Sequence, residues 1–168
     1  MVRVFIGLLW IWFGSTQLGY GQAGSAFSFQ QLDSLQQIEE RPVLVFIHTD
    51  WCRYCQNMKH TTFQDETVRA RLESAFYFIS LDAESKQDIM LQGQAFQYRP
   101  TGNGTGQHEL AQLLGNVEGK LSFPTLCFLN ADYEIIYQRV GFVSAKQLRA
   151  LLKILIDEKE EDAYAEYE

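Results

Sequence analysis

Trp51-Cys52-Arg53-Tyr54-Cys55 follows directly on the apolar run Pro42-Val43-Leu44-Val45-Phe46-Ile47. Two cysteines separated by two residues can close a small disulfide ring or bind a soft metal, and what precedes them bears on the choice. A short buried strand feeding a Cys-x-x-Cys turn, with a helical stretch behind it, puts the first cysteine at a helix N-terminus. Unpaired backbone N–H groups and the helix dipole favour a thiolate there over a thiol. An accessible, low-pKa thiolate beside a second cysteine is the equipment of a dithiol–disulfide exchanger. His48, before the pair, and His60, after it, offer a competing chemistry. With Cys52 and Cys55 they would make the donor set of a zinc or copper site. The redox reading is preferred, with no metal at the site and His48 as a group that tunes the thiolate.

The elements around this motif follow from periodicity. Between Phe27 and Glu40 the apolar residues Phe29, Leu32, Leu35 and Ile38 recur every three positions, as in an amphipathic helix. Pro42 ends it and opens a strand, Val43 to Ile47. A helix is expected from Cys52 to Lys59 and another over Glu66 to Leu72, followed by a buried strand from Ala75 to Leu81. The stretch from 86 to 118 is less regular. It reads as a helix around Asp88 to Phe96, a glycine-rich loop at Thr101 to Gly106, and a helix over His108 to Leu114. Leu126 to Leu129 and Glu134 to Val140 make a hairpin through Asn130-Ala131-Asp132, and Ser144 caps a last helix through Leu155. Strands alternating with helices, then a hairpin, predict an α/β sandwich around a mixed sheet.

The ends of the chain carry different information. Arg3 followed by the apolar run Val4 to Phe13, with small residues up to Ala23, reads as a secretory signal peptide over 1–23. Its apolar core of about 10 residues is short of the roughly 20 that span a bilayer. No stable membrane insertion is expected after cleavage, and the domain is placed at 24–156. The stretch 157–168 carries seven acidic residues against Lys159 alone, and most of the net charge of −7. It is expected to be a disordered, solvated tail, an acidic docking segment being the alternative. Without it the chain is close to neutral, so nucleic-acid binding is not expected. Export permits disulfides, but three cysteines cannot build a framework. Cys127, inside Thr125-Leu126-Cys127-Phe128-Leu129, reads as a buried inert thiol, with a third redox or ligand role left open.

An ordered set of pieces then carries a resemblance. Arg41-Pro42-Val43-Leu44-Val45-Phe46, Asp50-Trp51-Cys52-x-x-Cys55, Phe123-Pro124-Thr125 and Val140-Gly141-Phe142 resemble the thioredoxin-like superfamily over roughly Phe27 to Ile156. Asp-Trp-Cys, with Thr62-Phe63 after the helix, is similar to exported members such as the C-terminal domain of DsbD. The resemblance implies a three-layer sandwich with an insert before the strand that follows Pro124, whose peptide bond would be cis. It implies that Cys52 attacks and Cys55 resolves, with Trp51, Arg53, Tyr54, Phe123 and Pro124 forming the substrate surface. It also implies a protein-disulfide reductase of the periplasm or outside the cell, a monomer with no cofactor. Its partners would be disulfide-bearing client proteins and an upstream thiol reductase, with an oxidase, an isomerase or a copper chaperone as the alternatives.

Three departures from the family pattern stand out. Phe46 holds the place of the buried aspartate that helps the resolving cysteine lose its proton, and Phe78 or a neighbour replaces its lysine partner. The base for Cys55 is therefore unassigned, with water or Asp50 as candidates. Arg53-Tyr54 replaces Gly-Pro, and a cation beside Cys52 favours the thiolate. The 86–118 insert is long; its glycine loop lacks the lysine of a phosphate-binding loop, which leaves a structural loop or a substrate-selecting one.

Overall fold

The computed structural model describes residues 27–102 and 104–165, with side chains to 157. The expected signal peptide lies outside the described residues. Strand β1 (Val43–His48) is buried at every position, which apolar and β-branched residues on both faces make possible. It pairs in parallel with β2 (Tyr77–Asp82) and antiparallel with β9 (Thr125–Leu129). β9 pairs in turn with β10 (Ile135–Val140), so the main sheet runs β10-β9-β1-β2.

Helices cover both faces, giving the three layers expected from the sequence. On one face lie α1 (Phe29–Ile38) and α4 (Glu109–Gly115); Phe29, Leu32, Leu110 and Leu114 pack there against Val43, Val45 and Ile47. On the other lie α2 (Arg53–His60), α3 (Glu66–Ala75) and α5 (Ala145–Ala165). Cys55, Met58, Val68, Leu72, Leu148 and Leu152 pack there against Leu44, Phe46, Leu126 and Phe128. The alternation of β1 side chains thus divides the core into two halves.

Local chemistry fixes the ends of these helices. The Ser28 N–H donates to Gln31 Oε1 at 2.9 Å at the start of α1. Asp65 caps α3, accepting from the Val68 N–H at 3.0 Å, and takes an ion pair from Arg149 of α5 at 2.5 Å. Burial aside, these hydrogen bonds and the arginine hold the Asp65 carboxyl below its ordinary range. Gly141, at φ 92°, supplies the left-handed turn between β10 and α5. Helix α5 runs on to Ala165, through the stretch expected to be disordered. Glutamate, lysine and alanine are good helix formers, and extending an existing helix needs no new nucleus.

The insert corrects the sequence reading most. No helix forms over Asp88 to Phe96: β3 (Ile89–Leu91) and β4 (Gln94–Phe96) form a hairpin through Gln92 and Gly93, at φ 50° and 74°. Ile89, Leu91 and Phe96 are its buried positions, a period of two that three-residue strands hardly display in sequence. The glycine-rich stretch is likewise a hairpin end, between β5 (Tyr98–Gly102) and β6 (Thr105–His108). A Cβ at Gly106 would lie 2.5 Å from the Arg99 carbonyl oxygen, so glycine is what lets the strands close. A last short pair, β7 (Asn116–Val117) and β8 (Lys120–Leu121), leads back toward β9.

His108 ties the insert down. Fully buried, it accepts the Leu110 N–H of α4 on Nδ1 at 3.2 Å and contacts the Gln87 carbonyl through Nε2 at 3.0 Å. The first bond makes the ring the Nε2–H tautomer, so Nε2 donates in the second. Replacing His108 with alanine strands a buried N–H and a carbonyl. His108→Ala is expected to cost about 1–3 kcal/mol, read as a lower denaturation midpoint with an unchanged slope.

Candidate active site

The end of β1, a three-residue turn and the first turn of α2 build the site. Burial fixes β1, and Thr49-Asp50-Trp51 reverses the chain, with the Cys52 N–H donating to the Thr49 carbonyl at 3.3 Å. Cys52 is the N-cap of α2, its Sγ accepting the Cys55 N–H at 3.1 Å. Sulfur thus stands where serine or aspartate usually caps a helix, facing N–H groups that favour negative charge. Cys52 and Cys55 form a disulfide with Cα atoms 5.2 Å apart. Cys52 retains 5% exposure and Cys55 none, so the first sulfur is the one that faces the surface.

Aromatic rings surround the disulfide. Trp51, 66% exposed, stands edge-on to Phe123 with centroids 5.8 Å apart, and its indole N–H donates to Glu84 at 3.1 Å. Tyr54, 65% exposed, leans toward Phe142 with centroids 6.4 Å apart. Arg53 is exposed at the first position of α2. The Phe123–Pro124 peptide bond is cis, and the Pro124 carbonyl accepts the Gly141 N–H at 2.8 Å. The turn carrying Phe142 is thereby tied to the strand entry carrying Phe123. Of this rim the sequence singles out Trp51, Arg53, Tyr54, Phe123 and Pro124. Glu84 and Phe142 are additions, Phe142 from a quoted motif and Glu84 from a loop with no local signal.

Beneath the disulfide the wall is apolar. Phe46 meets Phe63 edge-on with centroids 4.8 Å apart and lies beside the His48 ring at 5.2 Å. Asp50, a candidate base for Cys55, is exposed. The Thr49 hydroxyl is buried without a hydrogen-bond partner. His48, also buried, has Nε2 at 2.9 Å from Ser80 Oγ and Nδ1 at 3.3 Å from Lys59 Nζ. Desolvation first, then the Lys59 charge, lowers its pKa, against the pull of Asp82 and Asp50. His60 is exposed at the end of α2. Among the described residues no group of three or more His, Cys, Asp and Glu side chains is placed to hold a metal ion.

Cys127 lies across the sheet from this site. It opposes Val45 on β1, within the half of the core that faces α1 and α4, whereas Cys52 and Cys55 sit with Phe46 in the other half. Burial pushes its thiol up to about 12.

Comparison with known proteins places these features. A family model described as a thioredoxin-like domain matches residues 29–156. No curated protein sequence matches. Among solved structures, a thioredoxin from Thermus thermophilus is 23% identical with a TM-score of 0.56, covering 80% of this chain and 88% of that one. A thioredoxin-fold protein from Helicobacter pylori is 19% identical with a TM-score of 0.55, covering 73% of each chain. The reduced C-terminal domain of DsbD from Neisseria meningitidis is 17% identical with a TM-score of 0.48, covering 74% of this chain and 90% of that one. At these identities the likeness is one of fold.

Thiol labelling tests the difference between the cysteines. After mild reduction at neutral pH, iodoacetamide is expected to alkylate Cys52 first and to leave Cys127 unmodified until the protein is unfolded. Peptide mass mapping reads both outcomes.

Proposed function

The chain belongs to the thioredoxin-like family, and we propose from that premise that it is a thiol–disulfide oxidoreductase reducing disulfides in exported proteins. The observation that carries the reading is the Cys52–Cys55 disulfide at the N-terminus of α2, with its more accessible sulfur accepting a backbone N–H. In the reduced state that N–H and the helix dipole stabilise a Cys52 thiolate. The thiolate attacks one sulfur of a client disulfide, forming a mixed disulfide as the other client sulfur leaves and takes a proton. Cys55 then gives up its proton and bonds to Cys52 sulfur, expelling the second client thiolate. Two electrons pass to the client, and the protein ends as the disulfide.

The dithiol is itself the electron carrier, so this sequence needs no organic cofactor, but an upstream thiol reductase must restore it. Both sulfurs come from one chain, so a monomer suffices. Trp51, Tyr54, Phe123 and Pro124, joined by Phe142, form an apolar collar for an extended client segment, with Arg53 at its rim. The 1–23 leader would carry the protein to the periplasm or beyond. Among the described residues no helix is long and apolar enough to cross a membrane. A second reading, as oxidase or isomerase, draws on Arg53: a cation beside the Cys52 thiolate favours the reduced form and raises the couple's potential.

Cys55→Ser separates an exchanger from a passive fold. In that variant Cys52 has no partner to release the client, so mixed disulfides accumulate. They are expected as reductant-sensitive adducts on a non-reducing gel, and to vanish in Cys52→Ser/Cys55→Ser. Equal adduct in the double variant, through Cys127, contradicts the proposal.

A further inference from the structure

The apolar wall under the disulfide is interrupted by a buried histidine. Phe46 and His48 point to the same side of β1, the side on which α2 packs with Cys55 and Met58. His48 is 5% exposed, yet both ring nitrogens have partners: Lys59 Nζ at 3.3 Å and Ser80 Oγ at 2.9 Å. An ammonium has donors and no acceptor, so Lys59 donates to Nδ1. The ring is then the Nε2–H tautomer and donates to Ser80, which is exposed on β2.

The position of Lys59 on its helix gives this contact meaning. Lys59 follows Cys55 by one turn of α2, and residues four apart share a helix face. Helical side chains lean toward the N-terminus, so the stem of Lys59 runs back along α2 toward the dithiol. A free ammonium at this half-buried position would turn outward to water, and the imidazole gives it a reason to stay.

The charged groups facing His48 are Lys59 from α2, Asp82 from β2 and Asp50 from the turn. Burial and Lys59 outweigh the two aspartates and keep the imidazole neutral, which leaves Lys59 as the positive member of the pair.

We propose that His48 is a positioning residue that holds the Lys59 ammonium on the Cys55 face of α2, where its charge stabilises the thiolate of the reduced couple. This inference rests on the reading of Cys52–Cys55 as an exchanging couple. In the release step the Cys55 proton goes to solvent and its sulfur bonds to Cys52. The bond from Cys52 to the client breaks, and the client sulfur takes the electron pair and then a proton from solvent. Lys59 gives and takes no proton; its charge acts on whichever sulfur of the pair is negative, Cys52 in the resting dithiol and Cys55 in the release step. Where a carboxylate base would accept the proton, this chain supplies a fixed positive charge instead.

The test is the equilibrium of the couple in glutathione buffers at neutral pH, with the thiolate followed by ultraviolet absorbance against pH. Lys59→Met is expected to shift the equilibrium about tenfold toward the disulfide, about 30 mV more reducing, and to raise the titration of the thiol. Lys59→Arg is expected to restore both readouts, and Lys59→Gln replaces Lys59→Met should the latter not fold. His48→Phe is expected to move both readouts in the same direction as Lys59→Met. The double variant should go no further than Lys59→Met alone. A wild-type couple that Lys59→Met leaves in place overturns this inference alone, as does additivity in the double variant. A wild-type protein with no reversible couple overturns the exchange reading and this inference with it.

Discussion

Burial of β1 on both faces is the constraint from which the rest of the structure follows. All six of its residues are enclosed, with neighbours along both edges and helices above and below. A strand held in this way cannot slip, because a shift of one residue would exchange its two apolar faces. Its C-terminal end is therefore a fixed point from which the turn to Cys52 departs. The position of the disulfide, its collar of rings and the buried His48 are all set relative to that end.

The same strand separates two environments. Val43, Val45 and Ile47 face α1, α4 and the insert, and Cys127 lies with them. Leu44 and Phe46 face α2, α3 and α5, and the disulfide lies there. One cysteine is thus sealed in hydrocarbon while two stand at a helix N-terminus, and a side-chain alternation of two residues accounts for the difference. Two buried histidines serve the two halves differently. His108 satisfies the junction of the insert, while His48 lies beside Phe46 in the wall under the disulfide.

Much of this is legible in the sequence, for identifiable reasons. The runs Val43 to Ile47 and Leu126 to Leu129 announce themselves because fully buried strands are continuous in apolar residues. Cys52 reads as a helix start because a buried strand and a turn precede it. The order of motifs carries the family, which the match over 29–156 bears out. The insert reads poorly because its strands are short, and Ile89 and Phe96, seven residues apart, mimic a helical stripe across a two-residue turn. The Trp51–Glu84 bond and the His48–Lys59 contact join residues distant in sequence, and no local pattern encodes them. The spacing from Cys55 to Lys59 was the available signal for the second, since it places both on one face of α2.

The central claim is that Cys52 and Cys55 form a working two-electron couple that donates electrons to other disulfides. Its most direct test is the reduction potential of the wild-type protein without residues 1–23, equilibrated from both the reduced and the oxidised side. The account predicts a single reversible couple reached from either direction, at roughly −270 mV as in reducing dithiols of this kind. A disulfide that does not equilibrate with a thiol buffer contradicts the claim. A reversible couple near about −120 mV contradicts the proposed direction, since a dithiol at that potential withdraws electrons from its clients.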